Sequence, residues 1–359
     1  MVIKRILKAY FILGRIFGTW ISPVLAGILI IFLRFVVGLS QFLDKGFFPS
    51  FNQKIKSPII IVGNPRSGTT FLHRFLIRQN IGTGSQLWQL IYPSIFLQKL
   101  IKPILPLLEI ISPARHHSTK AHKTSLTSIE TDDVSLLFRY LDGFFFYGFF
   151  LTFDKEDLFH WVDPKIIDNS DRDYKWFDSI WRRNLYSNSG ERYIGKLFSL
   201  SSNLPKFQEK YPDANILYMV RDPIDLIPSG LSLVTGVLDK KFNFWSLDDN
   251  IKKRFITRLY NSLVELLNRF QEDWVSNKIN KEKVFIVRFD SMMNEFETLI
   301  NDIIKFINIE KTTDLDEQIK IVNQSQREFK SEHSYDLSKF GLTEDKIKKD
   351  CSPFYKTFF

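Results

Sequence analysis

The sequence predicts an α/β fold: a single domain with a parallel β-sheet of about four or five strands flanked by helices on both faces, preceded by a hydrophobic N-terminal helical segment. Three observations predict it. Ser57-Pro58-Ile59-Ile60-Ile61-Val62 is a short β-branched run without alternation, the pattern of a parallel strand buried on both faces, and it runs through a glycine-bounded loop into a helix. Asn215-Ile216-Leu217-Tyr218-Met219-Val220 repeats the pattern, and residues 284–289 supply a further strand with an amphipathic helix over 295–307 behind it. A chain of 359 residues holds one large domain of this kind plus appendages, and 44% hydrophobic with 25% charged residues excludes general disorder.

The first fifty residues form the appendage, with the main domain over 51–359. Lys4, Arg5, Lys8 and Arg15 precede an uncharged run from Ile16 to Leu33, and a second apolar run follows Arg34 as far as Leu43. Eighteen uncharged residues is the lower edge of what a spanning helix needs. Pro23 and Arg34 interrupt an ideal span, and basic residues on both flanks leave its orientation open. No small-residue cleavage motif marks a signal peptide. Three arrangements stand: a single-span anchor, a re-entrant or interfacial helix, and a helix buried on the protein's own core. Residues 90–111 and 144–153, the latter with six Phe in ten positions, lean toward an interfacial surface, although core packing is the better account of the Phe cluster.

The net charge of +9 suits an anionic ligand or membrane surface. No zinc-finger spacing, Arg-rich tract or RNA-binding signature accompanies it, so no nucleic-acid partner is expected. Cys351 is the only cysteine, which excludes an intramolecular disulfide and agrees with a cytoplasmic face; a lumenal enzyme on a single-span anchor is the competing layout.

The chemistry begins at Gly63-Asn64-Pro65-Arg66-Ser67-Gly68-Thr69-Thr70. Strand, glycine-bounded loop and helix together make a phosphate cradle, because loop N–H groups and the positive end of the helix converge on an anion. In the helix, Phe71, Leu72, Phe75 and Leu76 share one face. The spacing is P-loop-like, except that Thr69 replaces the Lys of an ordinary ATPase or GTPase and the cation is Arg66, inside the loop. The strand at 215–220 leads into Arg221-Asp222-Pro223, with Ser229 eight positions after Arg221. A guanidinium forks onto phosphate, and a hydroxyl near a helix start adds a donor.

The two motifs together resemble the family of sulfotransferases that use 3′-phosphoadenosine-5′-phosphosulfate (PAPS), in particular its bacterial and membrane-associated members. The resemblance implies that the loop amides, Arg66, Ser67, Gly68, Thr69 and Thr70 hold the 5′-phosphate and the transferring sulfate. It also implies that Arg221 and Ser229 bind the 3′-phosphate, with adenosine 3′,5′-bisphosphate as product. Tyr193-Ile194-Gly195-Lys196 and Tyr211-Pro212-Asp213-Ala214 extend the likeness, as does His333-Ser334-Tyr335-Asp336-Leu337 with Phe340-Gly341-Leu342, similar to a tail that closes over the cofactor. Lys196 is kept for catalysis, but Leu197-Phe198-Ser199-Leu200 lacks the His that many relatives carry downstream, which removes a His-based mechanism from that segment.

Sulfuryl transfer needs a cation at the leaving oxygen, supplied by Arg66 and the helix N-terminus, and a base for the acceptor. Glu130-Thr131-Asp132-Asp133 resembles an acidic acceptor-side segment of the family, so Glu130 or Asp133 is the candidate base, with helix capping as the competing role. His73, His117 and His122 are alternatives, and the pair His116-His117 reads as exposed loop. No residue set has metal-ligand spacing, and the reaction is expected to be metal-independent. Residues 85–190 are expected to carry the acceptor pocket and a lid, and 308–330 to be exposed helix and connection. Two other functions fit less well: a P-loop kinase or NTPase, for which only Phe289-Asp290 offers a magnesium-binding strand end, and a non-catalytic nucleotide-binding membrane adaptor. A lipid, glycolipid or other membrane-associated acceptor suits the apolar segments. Acceptor identity and oligomeric state are not encoded legibly.

Overall fold

The computed structural model describes residues 2–112, 124–328 and 336–359. The chain forms two compact units: Met1–Ile55, Gly84–Gly190 and Leu231–Ser262 make the first, and Lys56–Thr83, Glu191–Gly230 and Leu263–Phe359 the second.

The second unit is built on a parallel sheet of four strands among the described residues: β1 (Ile59–Val62), β2 (Ile194–Lys196), β3 (Asn215–Val220) and β4 (Val284–Arg288), in the order β2-β1-β3-β4. Every residue of the first three strands is buried, which is why β1 and residues 216–220 of β3 are continuous apolar runs; β2 is Ile-Gly-Lys and ends on the buried Lys196. On one face Ile59, Ile61, Leu217 and Met219 pack with Leu72, Phe75 and Leu76 of helix Thr69–Arg78 and with Phe296, Ile300 and Ile303 of helix Phe296–Phe306. On the other, Tyr218 stacks on Phe270 at 3.3 Å between ring centroids, and Phe270 meets Phe358 at 5.8 Å. Helix Thr313–Glu328 corrects the expectation of an exposed segment at 308–330. Asp314, Glu317 and Lys320 are exposed, but Leu315 and Ile319, one turn apart, are buried in the same apolar cluster.

The strand order makes the gap between β1 and β3 a topological switch point: the chain leaves β1 toward β2 and leaves β3 toward β4. Loops at the carboxyl ends of such strands diverge and leave a crevice, the place where ligands bind in open α/β sheets.

The first unit is helical. Trp88, Leu87, Ile101, Leu105 and Leu126 form one apolar cluster, and Phe153 packs on Phe255 at 4.4 Å. The phenylalanine segment is core at Phe146 and Phe153. Helix Ile21–Phe47 takes Pro23 into its first turn, where a missing N–H costs no intrahelical bond, so Pro23 does not interrupt it. This helix is long and apolar enough to cross a membrane and is largely exposed, which sets aside burial of its apolar run on the protein's own core. Its second half is tied down by one carboxylate. Buried Asp44 accepts from Arg183 Nε at 2.7 Å, Ser94 Oγ at 3.0 Å and the backbone N–H groups of Ile95 and Phe96.

Candidate active site

The loop after β1 is shaped by positions that no ordinary side chain would suit. Gly63 has φ +141°, and a Cβ there would lie 2.9 Å from both the backbone oxygen and the Cβ of Met219 on β3. Gly68, the N-cap of helix Thr69–Arg78, has φ +93°, and a Cβ would meet Met292 and Phe289. Between them Arg66 has φ +78°, a left-handed conformation that costs a non-glycine residue roughly 1–2 kcal/mol. Strain of this kind persists only where surrounding contacts hold it. Asn64 Nδ2 donates to Leu263 O at 2.8 Å, and both Ser67 N and Ser67 Oγ donate to Asn64 O.

These contacts bring the predicted residues together. Arg66 Nε donates to Ser229 Oγ at 3.0 Å, and Arg221 NH1 donates to the Arg66 carbonyl at 2.8 Å. The Arg221 guanidinium lies 4.2 Å from the centroid of the Phe289 ring. The parallel register sets Lys196, last residue of β2, beside Ile61, and its Nζ donates to Thr70 Oγ1 at 3.0 Å in the first turn of the helix. Ser67, Thr69, Lys196 and Ser229 are all buried. Three cationic side chains, two helix-start hydroxyls and a helix N-terminus thus gather at the switch point, a donor set matched to anionic oxygen atoms.

His73 makes a structural contact. It is fully buried, its Nε2 hydrogen-bonds Ile194 O at 2.9 Å, and burial, followed by nearby Lys196, lowers its pKa to about 3. A neutral imidazole at that position fastens the helix to β2. Asp290, the residue a kinase reading would assign to magnesium, is exposed at the start of helix Phe289–Asn294.

Glu130 and Asp133 lie in the first unit, where both are buried. Asp133 is the N-cap of helix Val134–Tyr140 but makes no side-chain cap bond; its carboxylate accepts from Thr131 Oγ1 at 3.0 Å. The structural acid of the segment is Asp132, fully buried and accepting from Trp181 Nε1 at 3.1 Å. Asp173 is a carboxyl that sequence reasoning did not single out. Burial pushes it up to about 6 against the pull of Arg172, with Asp142 and Asp133 adding to the rise. Apart from the adjacent Arg172, the charges that act on it, Asp142 and Asp133, come from distant positions in the sequence, so no local motif marks its shift. Asn64 was within reach of sequence reasoning, as a buried amide inside the loop motif, whereas the contact of Phe289 with Arg221 has no local mark. His116, His117 and His122 lie outside the described residues, as do His333, Ser334 and Tyr335; Phe340 and Leu342 of the tail segment are buried.

The sequence profile of the sulfotransferase family matches residues 58–314, which takes in the loop at 63, Lys196, Arg221 and Ser229. The chain belongs to the sulfotransferase family. Two crystal structures of sulfotransferases share the fold. STF1 of Mycobacterium tuberculosis is 20% identical with a TM-score of 0.68, over 98% of this chain and 91% of that one. STF9 of Mycobacterium avium is 16% identical with a TM-score of 0.69, over 89% and 81%. Among curated proteins no sequence matches. For this sulfotransferase, sulfuryl transfer is the chemistry that the family membership gives, and the cationic crevice of the second unit is suited to it.

Proposed function

We propose that this sulfotransferase takes its sulfuryl group from PAPS and places it on a hydroxyl or amine of a membrane-associated acceptor, such as a lipid or glycolipid, at the cytoplasmic face. The observation that carries the reading is the contact of Arg66 with Ser229, reinforced by that of Arg221 with the Arg66 carbonyl. It joins a 5′-phosphate cradle to a second cationic site, as a nucleotide with phosphates at both ends requires.

PAPS supplies the sulfuryl group and leaves as adenosine 3′,5′-bisphosphate. The amides from Ser67 to Thr70, with the hydroxyls of Thr69 and Thr70, face the 5′ end, and Arg221 and Ser229 face the 3′-phosphate. Arg66, Lys196 and the positive end of helix Thr69–Arg78 neutralise the charge that grows on the leaving oxygen. A carboxylate of the acidic segment, Glu130 or Asp133, takes the acceptor proton. Arginine and lysine perform the charge neutralisation, so the reaction runs without a divalent cation.

The test is calorimetric titration of adenosine 3′,5′-bisphosphate into the detergent-solubilised full chain with chelator present. Wild type, Arg66→Ala and Arg221→Ala are compared, with ATP as control ligand. Tight binding that depends on the 3′-phosphate and on Arg221 supports the reading. A preference for magnesium-ATP overturns it in favour of a kinase.

A further inference from the structure

The exposed apolar residues of helix Ile21–Phe47 are not scattered. Ile21, Leu25, Ile28, Phe32, Phe35, Leu39 and Phe42 are all exposed and recur at alternating steps of four and three, which traces one stripe along the helix, and the other exposed apolar residues, Val24, Leu29, Ile31 and Phe47, flank it. The residues that the same helix buries, Val37, Ser40 and Asp44, belong to a different face. That face is fixed to the folded unit by the Asp44–Arg183 ion pair and by Arg34 Nε, which donates to Phe138 O at 3.0 Å. The segment bonded to Asp44 adds Leu100, Ile104, Leu107, Ile110 and Ile111, all exposed.

The preceding helix, Val2–Phe17, is fixed to the same unit. Arg5 makes a buried ion pair with Asp142 at 2.6 Å and donates to Trp161 O at 2.7 Å, Lys8 pairs with Asp154 at 3.0 Å, and Phe17 meets Phe153 edge-on at 5.1 Å. Trp20 packs back on Tyr10 at 5.5 Å. Only residues 21–33 of the long helix lie ahead of its attachment at Arg34, a length of about 20 Å, whereas a bilayer's hydrocarbon core is about 30 Å thick. A crossing helix of about 20 residues from Ile21 would have to break Arg5 from Asp142 or draw Arg34 and its contact with Phe138 into lipid.

We infer that helix Ile21–Phe47 lies flat in the interfacial layer of an anionic phospholipid bilayer, as a monotopic anchor whose two ends stay on one side. The inference rests on the membrane contact proposed above and assigns its geometry. Its apolar stripe enters the acyl boundary along its whole length. Eight basic residues against one acidic residue within positions 1–56 fit a surface of negative lipid headgroups, and Lys4, Arg15, Lys45 and Lys102 are exposed to meet it.

The experiment uses the full chain with single cysteines at Ile21, Leu25, Phe32, Phe35, Phe42 and Phe47, since the native Cys351 is buried. Each variant carries an environment-sensitive fluorophore and is bound to vesicles of phosphatidylcholine and phosphatidylglycerol that contain nitroxide lipids at shallow or deep positions. Adenosine 3′,5′-bisphosphate binding is measured on the same samples to establish that each variant is folded. The expected result is strong quenching by the shallow probe from Leu25 to Phe42 at one common depth, and roughly tenfold weaker partitioning when phosphatidylglycerol is omitted. A depth profile that peaks at Phe32 and Phe35 under the deep probe, with Ile21 and Phe47 at opposite headgroup layers, overturns the monotopic geometry while leaving membrane contact intact. No quenching at any position in a nucleotide-binding sample overturns membrane contact itself.

Discussion

Arg66 and Ser229 are 163 positions apart, and the guanidinium Nε of one donates to the hydroxyl of the other at 3.0 Å. The glycine loop and the helix after β3 therefore meet as one site, and each holds the other's donor in place.

Ser229→Ala removes that hydroxyl and leaves Arg221 in position. Binding of adenosine 3′,5′-bisphosphate is expected to weaken about fivefold to tenfold, the effect of one hydrogen bond worth roughly 1 kcal/mol, with a smaller loss for adenosine 5′-phosphate, whose cradle includes the Arg66 that Ser229 holds. Arg221→Ala removes a charged contact and is expected to weaken the bisphosphate by about a hundredfold. Titration calorimetry with the two nucleotides reads both differences.

Gly63→Ala tests the close approach of the loop to β3. The new Cβ meets backbone of Met219, and φ +141° is strained for alanine, so a loss of about 2–3 kcal/mol in stability is expected. Gly38→Ala is the control: it lies within helix Ile21–Phe47 with no atom near its Cβ position, and the change is expected to stabilise by about 0.5–1 kcal/mol. Denaturant unfolding in detergent distinguishes them.

His73 predicts a pH dependence. Its folded pKa lies near 3 and its unfolded value near 6.5, so the unfolded chain binds the extra proton between those limits. The contribution of the neutral imidazole is therefore complete above pH 6.5 and is lost as pH falls toward 3, with a slope of about 1.4 kcal/mol per pH unit. His73→Gln retains an N–H donor for Ile194 O without titrating. Urea unfolding from pH 7 to 4.5 should show a shallower decline for the variant than for wild type.

Tyr355 Oη donates to Asp222 Oδ1, which also accepts from Ile224 N at 2.9 Å. The C-terminal helix Ser352–Phe358 thereby steadies the turn that carries Arg221. Tyr355→Phe is expected to reduce stability by about 1 kcal/mol and to raise KM for the nucleotide severalfold with kcat nearly unchanged. Steady-state kinetics at saturating acceptor separates the two parameters.

Arg183→Ala strands Asp44 in the interior. Removing one partner of a buried pair is expected to cost about 3–5 kcal/mol, whereas Arg183→Met with Asp44→Asn, which keeps an acceptor oxygen for Ser94 and for the N–H groups of Ile95 and Phe96, is expected to restore much of it. Thermal unfolding of the two variants side by side checks the order.

The sheet was legible because burial on both faces leaves a local record. Ile59–Val62 and Asn215–Val220 are apolar runs of the kind a parallel strand buried on both faces carries, and they lead directly into Gly63 of the loop and into Arg221. The loop at residue 63 was legible for the same reason, since its glycines answer to backbone geometry within eight positions. The acidic segment was less legible. Both catalysis and capping place an acid ahead of Val134, and only the fold shows that Asp133 makes no cap bond while Asp132 is locked by Trp181.

The sequence by itself determined the family, the strand-loop-helix cradle and the cationic character of the site, because these depend on residue type and spacing over short stretches. The tertiary structure alone decided which donors meet. Arg66 reaches Ser229, and Lys196 reaches Thr70, because β1 lies between β2 and β3, a pairing that sequence order does not reveal. It also decided how the N-terminal helix is held. Hydropathy records that Ile21–Phe47 is apolar, but only contacts formed across the chain, Asp44 with Arg183 and Arg34 with Phe138 O, set which of its faces stays exposed.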